Sequence, residues 1–139
     1  MLTGLLTASM TFAPAVLAVS CPDNGSLTAP SVTPNSGTPS TNFTFSVTYQ
    51  DNLGEDPDFI RVFLDGPNPF NRRLLQQSGS LTTGAVFSRT FTVPVGTWSI
   101  IIRAQPGTQP APPATCEVSA GTITVSPPAT PTPVLVARF

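Results

Sequence analysis

Few side chains in this chain could transfer a proton or a chemical group. It contains six arginines and seven acidic residues, but no lysine and no histidine. Histidine is the side chain that changes charge near neutral pH, so the usual proton shuttle is missing. The serines and threonines lack a histidine or lysine base to activate a hydroxyl, and the two cysteines lack a histidine partner. The composition therefore predicts a protein that is not an enzyme.

One acidic segment has residues of the type that ligate a metal ion. Four of the seven acidic residues, Asp51, Glu55, Asp56 and Asp58, fall within eight positions, and Gly54 allows a tight turn between them. Carboxylate oxygens are preferred ligands of Ca²⁺. The spacing matches no EF-hand, and acidic loops are also common as solvated connections. A calcium site and a solvated loop both remain open, and no other cofactor is predicted.

The N-terminal segment, residues 1–20, has two interpretations. It has no charged side chain and ends in small residues, as a secretory signal peptide does, although a positive n-region is missing. Alternatively it is a retained strand, because Leu6, Ala8, Met10 and Phe12 alternate with hydroxyl residues. Its apolar stretch is too short to span a membrane. Both interpretations predict a secreted protein in the extracellular space or at the cell surface.

The two cysteines, Cys21 and Cys116, are predicted to form a disulfide bond. Two cysteines in an exported chain pair by default. Closing so long a loop stabilises the folded state by about 4–5 kcal/mol in a chain-entropy treatment. The alternative is a pair of buried free thiols.

The sparse charge argues against nucleic acid and against an anionic membrane surface as partners. Charged residues make up 9% of the chain, and the net charge is −1. No patch is then large enough to neutralise a row of phosphates or to bind an anionic membrane strongly. Arg72 and Arg73 are interpreted as a solvated strand edge. The chain is therefore predicted to bind no nucleic acid.

Alternation of apolar and polar residues predicts strands along most of the chain. The clearest is 42–51, in which Phe43, Phe45, Val47 and Tyr49 share one face. A change of parity at Gly121 predicts a β-bulge in the last strand. Arg89 has the inward parity of its neighbours Phe87 and Phe91, so it must snorkel outward, pair, or lie at a bulge.

These strands predict an all-β fold, a single immunoglobulin-like antiparallel sandwich of about seven strands. With 139 residues the chain has room for one such domain, expected at 21–126, followed by a Pro-rich C-terminal extension at 127–139. The expected core comprises Phe43, Phe45, Val47, Ile60, Val62, Phe91, Trp98, Ile100 and Ile102.

Two runs carry a family resemblance: FTFSVTYQDNLGEDPDFIRVFLDG at 43–66 and FTVPVGTWSIIIRA at 91–104. The region from about 26 to 126 resembles the Ig-like modules, related to polycystic-kidney-disease and fibronectin type III domains, of prokaryotic surface proteins. In those families an aromatic residue after a Gly-x pair packs over a corner, and Gly96-Thr97-Trp98 matches that pattern. The resemblance implies a spacer, an adhesion unit or an assembly subunit. The chain departs from the pattern of these families in its Pro-rich segment, 105–115, and in having a single module rather than a tandem array.

The predicted function is structural: a self-assembling subunit of a pilus-like filament or a surface layer. The open edges of a sandwich accept an extra strand, so an extended end of one copy would pair with the next copy. The expected donor residues are Leu6, Ala8, Met10 and Phe12 at one end, and Val134 and Val136 at the other. A contact that does not close on itself propagates into a fibre. The alternative is a monomeric adhesion module that binds a glycan or a protein through its loops, with calcium as a stabiliser.

Overall fold

The alternating segments form two facing β-sheets in the computed structural model, which describes residues 17–107 and 114–138. Within those residues there is no helix. In particular, no helix in that part of the chain is long and apolar enough to cross a membrane. The prediction of an all-β sandwich is confirmed.

Ten strands lie in the described residues, two of them only two residues long. They are β1 (Val19–Ser20), β2 (Gly25–Thr33), β3 (Ser36–Gly37), β4 (Phe43–Asp51), β5 (Phe59–Asp65), β6 (Phe70–Arg73), β7 (Leu75–Ser80), β8 (Gly84–Phe91), β9 (Gly96–Gln105) and β10 (Cys116–Val125).

The first sheet has the strand order β1-β2-β4-β8-β7, and the second sheet has the order β3-β10-β9-β5-β6. All neighbours are antiparallel except β3 and β10, which pair in parallel. β4 and β5 follow each other in the chain but belong to opposite sheets. The strands β2-β4-β8-β7 of the first sheet face β10-β9-β5 of the second, and the two sheets form a β-sandwich.

The core lies between the sheets and is built from the inward-facing residue of each alternating pair. In β4, every second side chain from Phe43 to Asp51 is buried, as the period-2 pattern requires. All the predicted core residues are buried except Phe91, which is half-buried because it lies near an open edge. The predicted bulge is confirmed: the register of β10 on β9 shifts between Ser119 and Gly121, and Gly121 has a φ of 89°.

Trp98 closes one end of the core. Its side chain is fully buried, and its indole Nε1 donates a hydrogen bond to the carbonyl of Pro94 at 2.9 Å. The indole packs against Gly66, where a Cβ would lie 2.7 Å from Trp98 Cε3. The fit explains why the turn after β5 has a glycine at this position.

The chain changes sheets at Leu74, which is buried between β6 and β7. The sequence pattern predicts one short strand around Leu74 and Leu75, but the structure has two short strands in different sheets. The crossing also resolves the position of Arg89. This side chain snorkels out of the sandwich and donates from Nη1 to the carbonyl of Arg73 at 3.3 Å.

Candidate functional site

The predicted disulfide joins Cys21 to Cys116. Cys21 lies between β1 and β2, and Cys116 begins β10, so the bond ties the first sheet to the second. Both residues are buried, and their Cα atoms are 5.0 Å apart. We call this end of the sandwich, which also carries the loop after Asp51, the disulfide end.

Asp51 holds the acidic loop together from inside. It is the last residue of β4 and is 1% exposed. Its Oδ1 accepts hydrogen bonds from the backbone N–H groups of Leu53 at 2.8 Å and Glu55 at 3.3 Å. Its Oδ2 accepts a hydrogen bond from the Tyr49 hydroxyl at 3.4 Å. The carboxylate therefore works as a cap for the turn.

The buried end of β4 also changes the pKa of Tyr49. Burial of the phenol and then the negative charge of Asp51 raise the pKa of Tyr49 well above its ordinary value. The neutral phenol is consequently the stable form, and it serves as a donor to Asp51. The hydrogen-bonded pair joins the end of β4 to the turn that follows it.

The structure does not bring the four predicted calcium ligands together. Among the described residues, no group of three or more acidic, histidine or cysteine side chains is placed to hold a metal ion. Asp51 points inward at the end of one strand and already caps backbone groups. Asp58 precedes the next strand, and its Oδ2 accepts a hydrogen bond from Gln105 Nε2 at 3.0 Å. The four acidic residues are close in the sequence, but their carboxylate oxygens do not converge on one point.

A cleft of about 570 Å³ opens at the opposite end of the sandwich, where the edges of the two sheets diverge. We call it the edge cleft and the end that carries it the cleft end. It is lined by Pro39, Asn68, Phe70, Arg72, Thr92, Val93 and Pro94.

The edge cleft exists because two strands stop short. β6 has four residues and is the edge of the second sheet. β7 pairs with β8 only from Ser88 back to Gly84, so within the described residues 89–91 have a strand neighbour on the β4 side alone. Unpaired backbone at a sheet edge is a template for a further strand.

Phe70 forms the aromatic floor of the edge cleft, and other aromatic rings pack behind it. Phe70 meets Trp98 edge-on at 5.5 Å and Phe91 at 6.2 Å between ring centroids, and Phe91 stacks on Phe45 at 4.6 Å. Phe70 and Phe91 are half-buried, so part of this cluster faces the opening. The edge cleft therefore presents apolar surface that is continuous with the core.

The C-terminal segment leaves the sandwich beside this cleft. After β10 ends at Val125, the N–H of Ser126 donates to the carbonyl of Gly37 at 2.9 Å, two residues before the cleft-lining Pro39. Residues 126–138 form no strand and are exposed. The predicted donor residues lie here: Val134 is 86% exposed, Leu135 94% and Val136 76%.

The predicted N-terminal donor residues, Leu6, Ala8, Met10 and Phe12, lie outside the described residues, as does most of segment 1–20. The described chain begins at Leu17, and the first sheet gains its edge strand from Val19–Ser20, which pairs with Leu27 and Ser26 of β2.

Sequence reasoning missed the edge cleft. Its central aromatic residue, Phe70, follows Asn68 and Pro69 in a stretch that has no clear alternation. The cleft opens where β7 stops pairing with β8. The alternation of residues in a sequence does not show which residues of two strands will pair, so this end point could not be predicted. The sequence did contain one indication, the residues Pro67, Asn68 and Pro69 between β5 and β6, which are typical of a turn.

The chain matches no protein-family model, and a search of curated proteins found no match.

Proposed function

We propose that this protein is a structural subunit of an extracellular assembly, an immunoglobulin-like module that associates with its own copies by strand addition. Residues 134–136 of one copy would occupy the edge cleft of another. The observation that carries the proposal is the run of three large apolar residues, each at least 76% exposed, on an extended segment outside the sandwich.

Such a run is costly to leave in water. Burial of one valine or leucine side chain stabilises by about 1.5–3 kcal/mol, so three in succession provide a substantial drive for docking. Single exposed apolar residues are ordinary on a protein surface, whereas a contiguous set marks a contact. The segment therefore has the composition of a donor.

The edge cleft has what an acceptor needs. Residues 89–91 of β8 and the outer edge of β6 can supply backbone donors and acceptors to an added strand. In an extended donor, Val134 and Val136 project to one side, toward the half-buried Phe70 and Phe91. Main-chain hydrogen bonds would then give affinity, and the aromatic floor would select apolar side chains.

The linker sets how copies can be joined. Ser126 to Pro133 contains four prolines, which favour an extended backbone with a reach of about 25 Å at roughly 3.1 Å per residue. The donor leaves from the same end that carries the edge cleft. Donation from each copy to the next builds an open filament or layer, whereas reciprocal exchange between two copies closes as a dimer.

Other features are consistent with an extracellular location. A disulfide persists in oxidising compartments and is rare in the cytosol. The outward residues of β4 are threonine, serine and glutamine, which keep a packed assembly wetted. A net charge of −1 gives little repulsion between neighbouring copies.

Light scattering and electron microscopy of the full chain test self-association, with two variants for comparison. Val134→Asp/Val136→Asp places charge on the donor, and Thr130→Asp/Thr132→Asp places equal charge on the linker. We expect the wild type and the linker variant to form filaments or layers and the donor variant to be monomeric. A monomeric wild type overturns the proposal, and a closed dimer overturns its open-chain form.

Cysteine cross-linking tests which surface accepts the donor. The native cysteines are paired, so a chain carrying Val134→Cys mixed with a chain carrying Asn68→Cys should yield a disulfide-linked heterodimer. Thr44→Cys, on the exposed outer face of the first sheet, is the matched control. Equal cross-linking at Thr44 and Asn68 would refute the edge cleft as the acceptor.

A further inference from the structure

The outer face of the second sheet carries three arginines in one line. Arg73 of β6 is the register partner of Arg61 of β5, and Arg61 is the register partner of Arg103 of β9. We call these residues the arginine row. It gathers half of the six arginines of the chain, and it ends at Glu117 of β10, the partner of Arg103.

Folding alone gives no reason for this row. Like charges directly opposite each other on neighbouring strands destabilise a sheet. Arg103 donates from Nε and Nη2 to Glu117 Oε2 at 3.1 and 2.9 Å, an exposed pair that contributes little stability. Arg61 donates to the side-chain oxygen of Asn71 at 3.3 Å, and Arg73 to the carbonyl of Asp58 at 3.0 Å. Two of the three arginines therefore have neutral acceptors.

Aromatic rings hold two of these guanidinium groups in place. Arg61 lies 5.2 Å from the ring centroid of Phe59, and Arg103 lies 4.6 Å from that of Phe63. Stacking restricts the planar guanidinium, so less entropy is lost when it binds a ligand. The arrangement is preorganised for a planar anion such as a carboxylate.

A shallow groove of about 300 Å³ runs beside the row. Its floor includes Phe63 and Ile101, which are register partners on β5 and β9 and are half-buried. The lining also includes Arg103 and one carboxylate, Asp65. The groove fits a ligand whose flat apolar face covers Phe63 and Ile101 and whose acidic group lies at the arginine row.

We propose that this face binds an acidic polysaccharide, a chain of sugar rings that carry carboxylates. Arg61 and Arg73, whose acceptors are neutral, can each pair with a carboxylate through two parallel hydrogen bonds. The C–H face of a sugar ring can cover Phe63 and Ile101. Neighbouring strands lie about 4.8 Å apart, so the row presents three donors at regular intervals. Glu117 at the end of the row confines the positive charge to three strands, which suits spaced carboxylates better than the dense phosphates of nucleic acid.

The inference does not rest on strand addition, because the arginine row lies on the outer face of a sheet and the donor segment acts at an edge. The two activities are compatible: a filament subunit with this face would bind acidic glycans along its length. Failure of one leaves the other in place.

Isothermal titration of the full chain with polygalacturonate tests the proposal, with neutral dextran and polyglutamate as comparison polymers. We expect polygalacturonate to bind, with affinity that falls as salt rises, and dextran not to bind. The variant Arg61→Gln/Arg73→Gln should bind at least about tenfold more weakly, as loss of charge-assisted hydrogen bonds predicts.

Arg72→Gln is the matched control, because Arg72 directly precedes Arg73 on the same strand but lies over Phe70 beside the edge cleft. It should bind within about twofold of the wild type, since it lies outside the row. Thermal melts establish that each variant is folded. No binding by the wild type, or an equal loss in Arg72→Gln, overturns the proposal. Equally tight binding of polyglutamate overturns the choice of a glycan.

Discussion

The two sheets have equivalent inner faces and very different outer faces. On the first sheet the outward residues of β4 and β8 are largely uncharged, and Thr44 and Thr90 join their hydroxyls at 2.8 Å. On the second sheet the outward residues include the arginine row and Phe63. Burial demands only that the inner residues be apolar, so it cannot explain the difference. The difference between the outer faces therefore needs an explanation other than folding.

Loss of the disulfide should have the largest effect, because this bond ties the two faces together. The variant Cys21→Ser/Cys116→Ser opens a loop whose ends are 95 residues apart. We expect it to lose about 4–5 kcal/mol of unfolding free energy, measured by urea denaturation. A loss below about 1 kcal/mol would show that the sheets need no covalent tie.

Truncation of a buried aromatic side chain should lower the free energy of unfolding by nearly the same amount in the first sheet and in the second. Phe45→Ala removes a buried ring from the first sheet, and Trp98→Ala removes one from the second. Each should lower the unfolding free energy by about 3–5 kcal/mol, as loss of a core aromatic does. Denaturant titration of both variants measures this, and a near-neutral result for either would break the equivalence of the inner faces.

Alkaline pH should act through the first sheet, which contains Tyr49. Its pKa is raised in the folded state, so folding keeps a proton that the unfolded chain releases near pH 10. The stability due to this group is present below about pH 10 and is lost as pH rises further. Tyr49 is the single tyrosine, so phenolate absorbance reports it directly.

Melting temperatures from pH 8 to 12 should fall more steeply for the wild type than for Tyr49→Phe, which cannot titrate. Parallel curves for the two proteins would contradict the assignment of alkaline loss to Tyr49.

Single substitutions on the two outer faces should have small effects of opposite sign. Thr44→Ala loses the hydroxyl pair with Thr90 and should cost about 0.2–1 kcal/mol. Arg61→Thr relieves repulsion from Arg73 and Arg103 and should stabilise by a few tenths of a kcal/mol. High salt should remove only the second effect. A destabilising Arg61→Thr would mean that the arginine row serves folding after all.

Sequence reasoning was strongest where one physical rule acts locally. The strand 42–51 alternates because successive side chains of a strand point to opposite faces, and β4 follows that pattern with Asp51 as its inward terminus. Cys21 and Cys116 could be paired because only two cysteines exist. Gly121 marked the bulge because glycine readily adopts its positive φ.

It was weakest where function depends on neighbours that are distant in the chain. The acidic loop looked like a ligand set because its residues are close in sequence, yet Asp51 ends a strand of the first sheet and Asp58 precedes a strand of the second. The place of Phe70 in the edge cleft could not be predicted from the sequence, because it depends on where β7 stops pairing with β8.

The amino-acid sequence by itself determined the all-β character, the inward residues of the long strands and the cysteine pair. The alternation of buried and exposed residues is a local property of each strand, and two cysteines allow only one pairing. Only the tertiary structure decided the crossing at Leu74, the edge cleft and the arginine row. Positions 61, 73 and 103 carry no mark of being neighbours, since strand register is set by the packing of whole sheets.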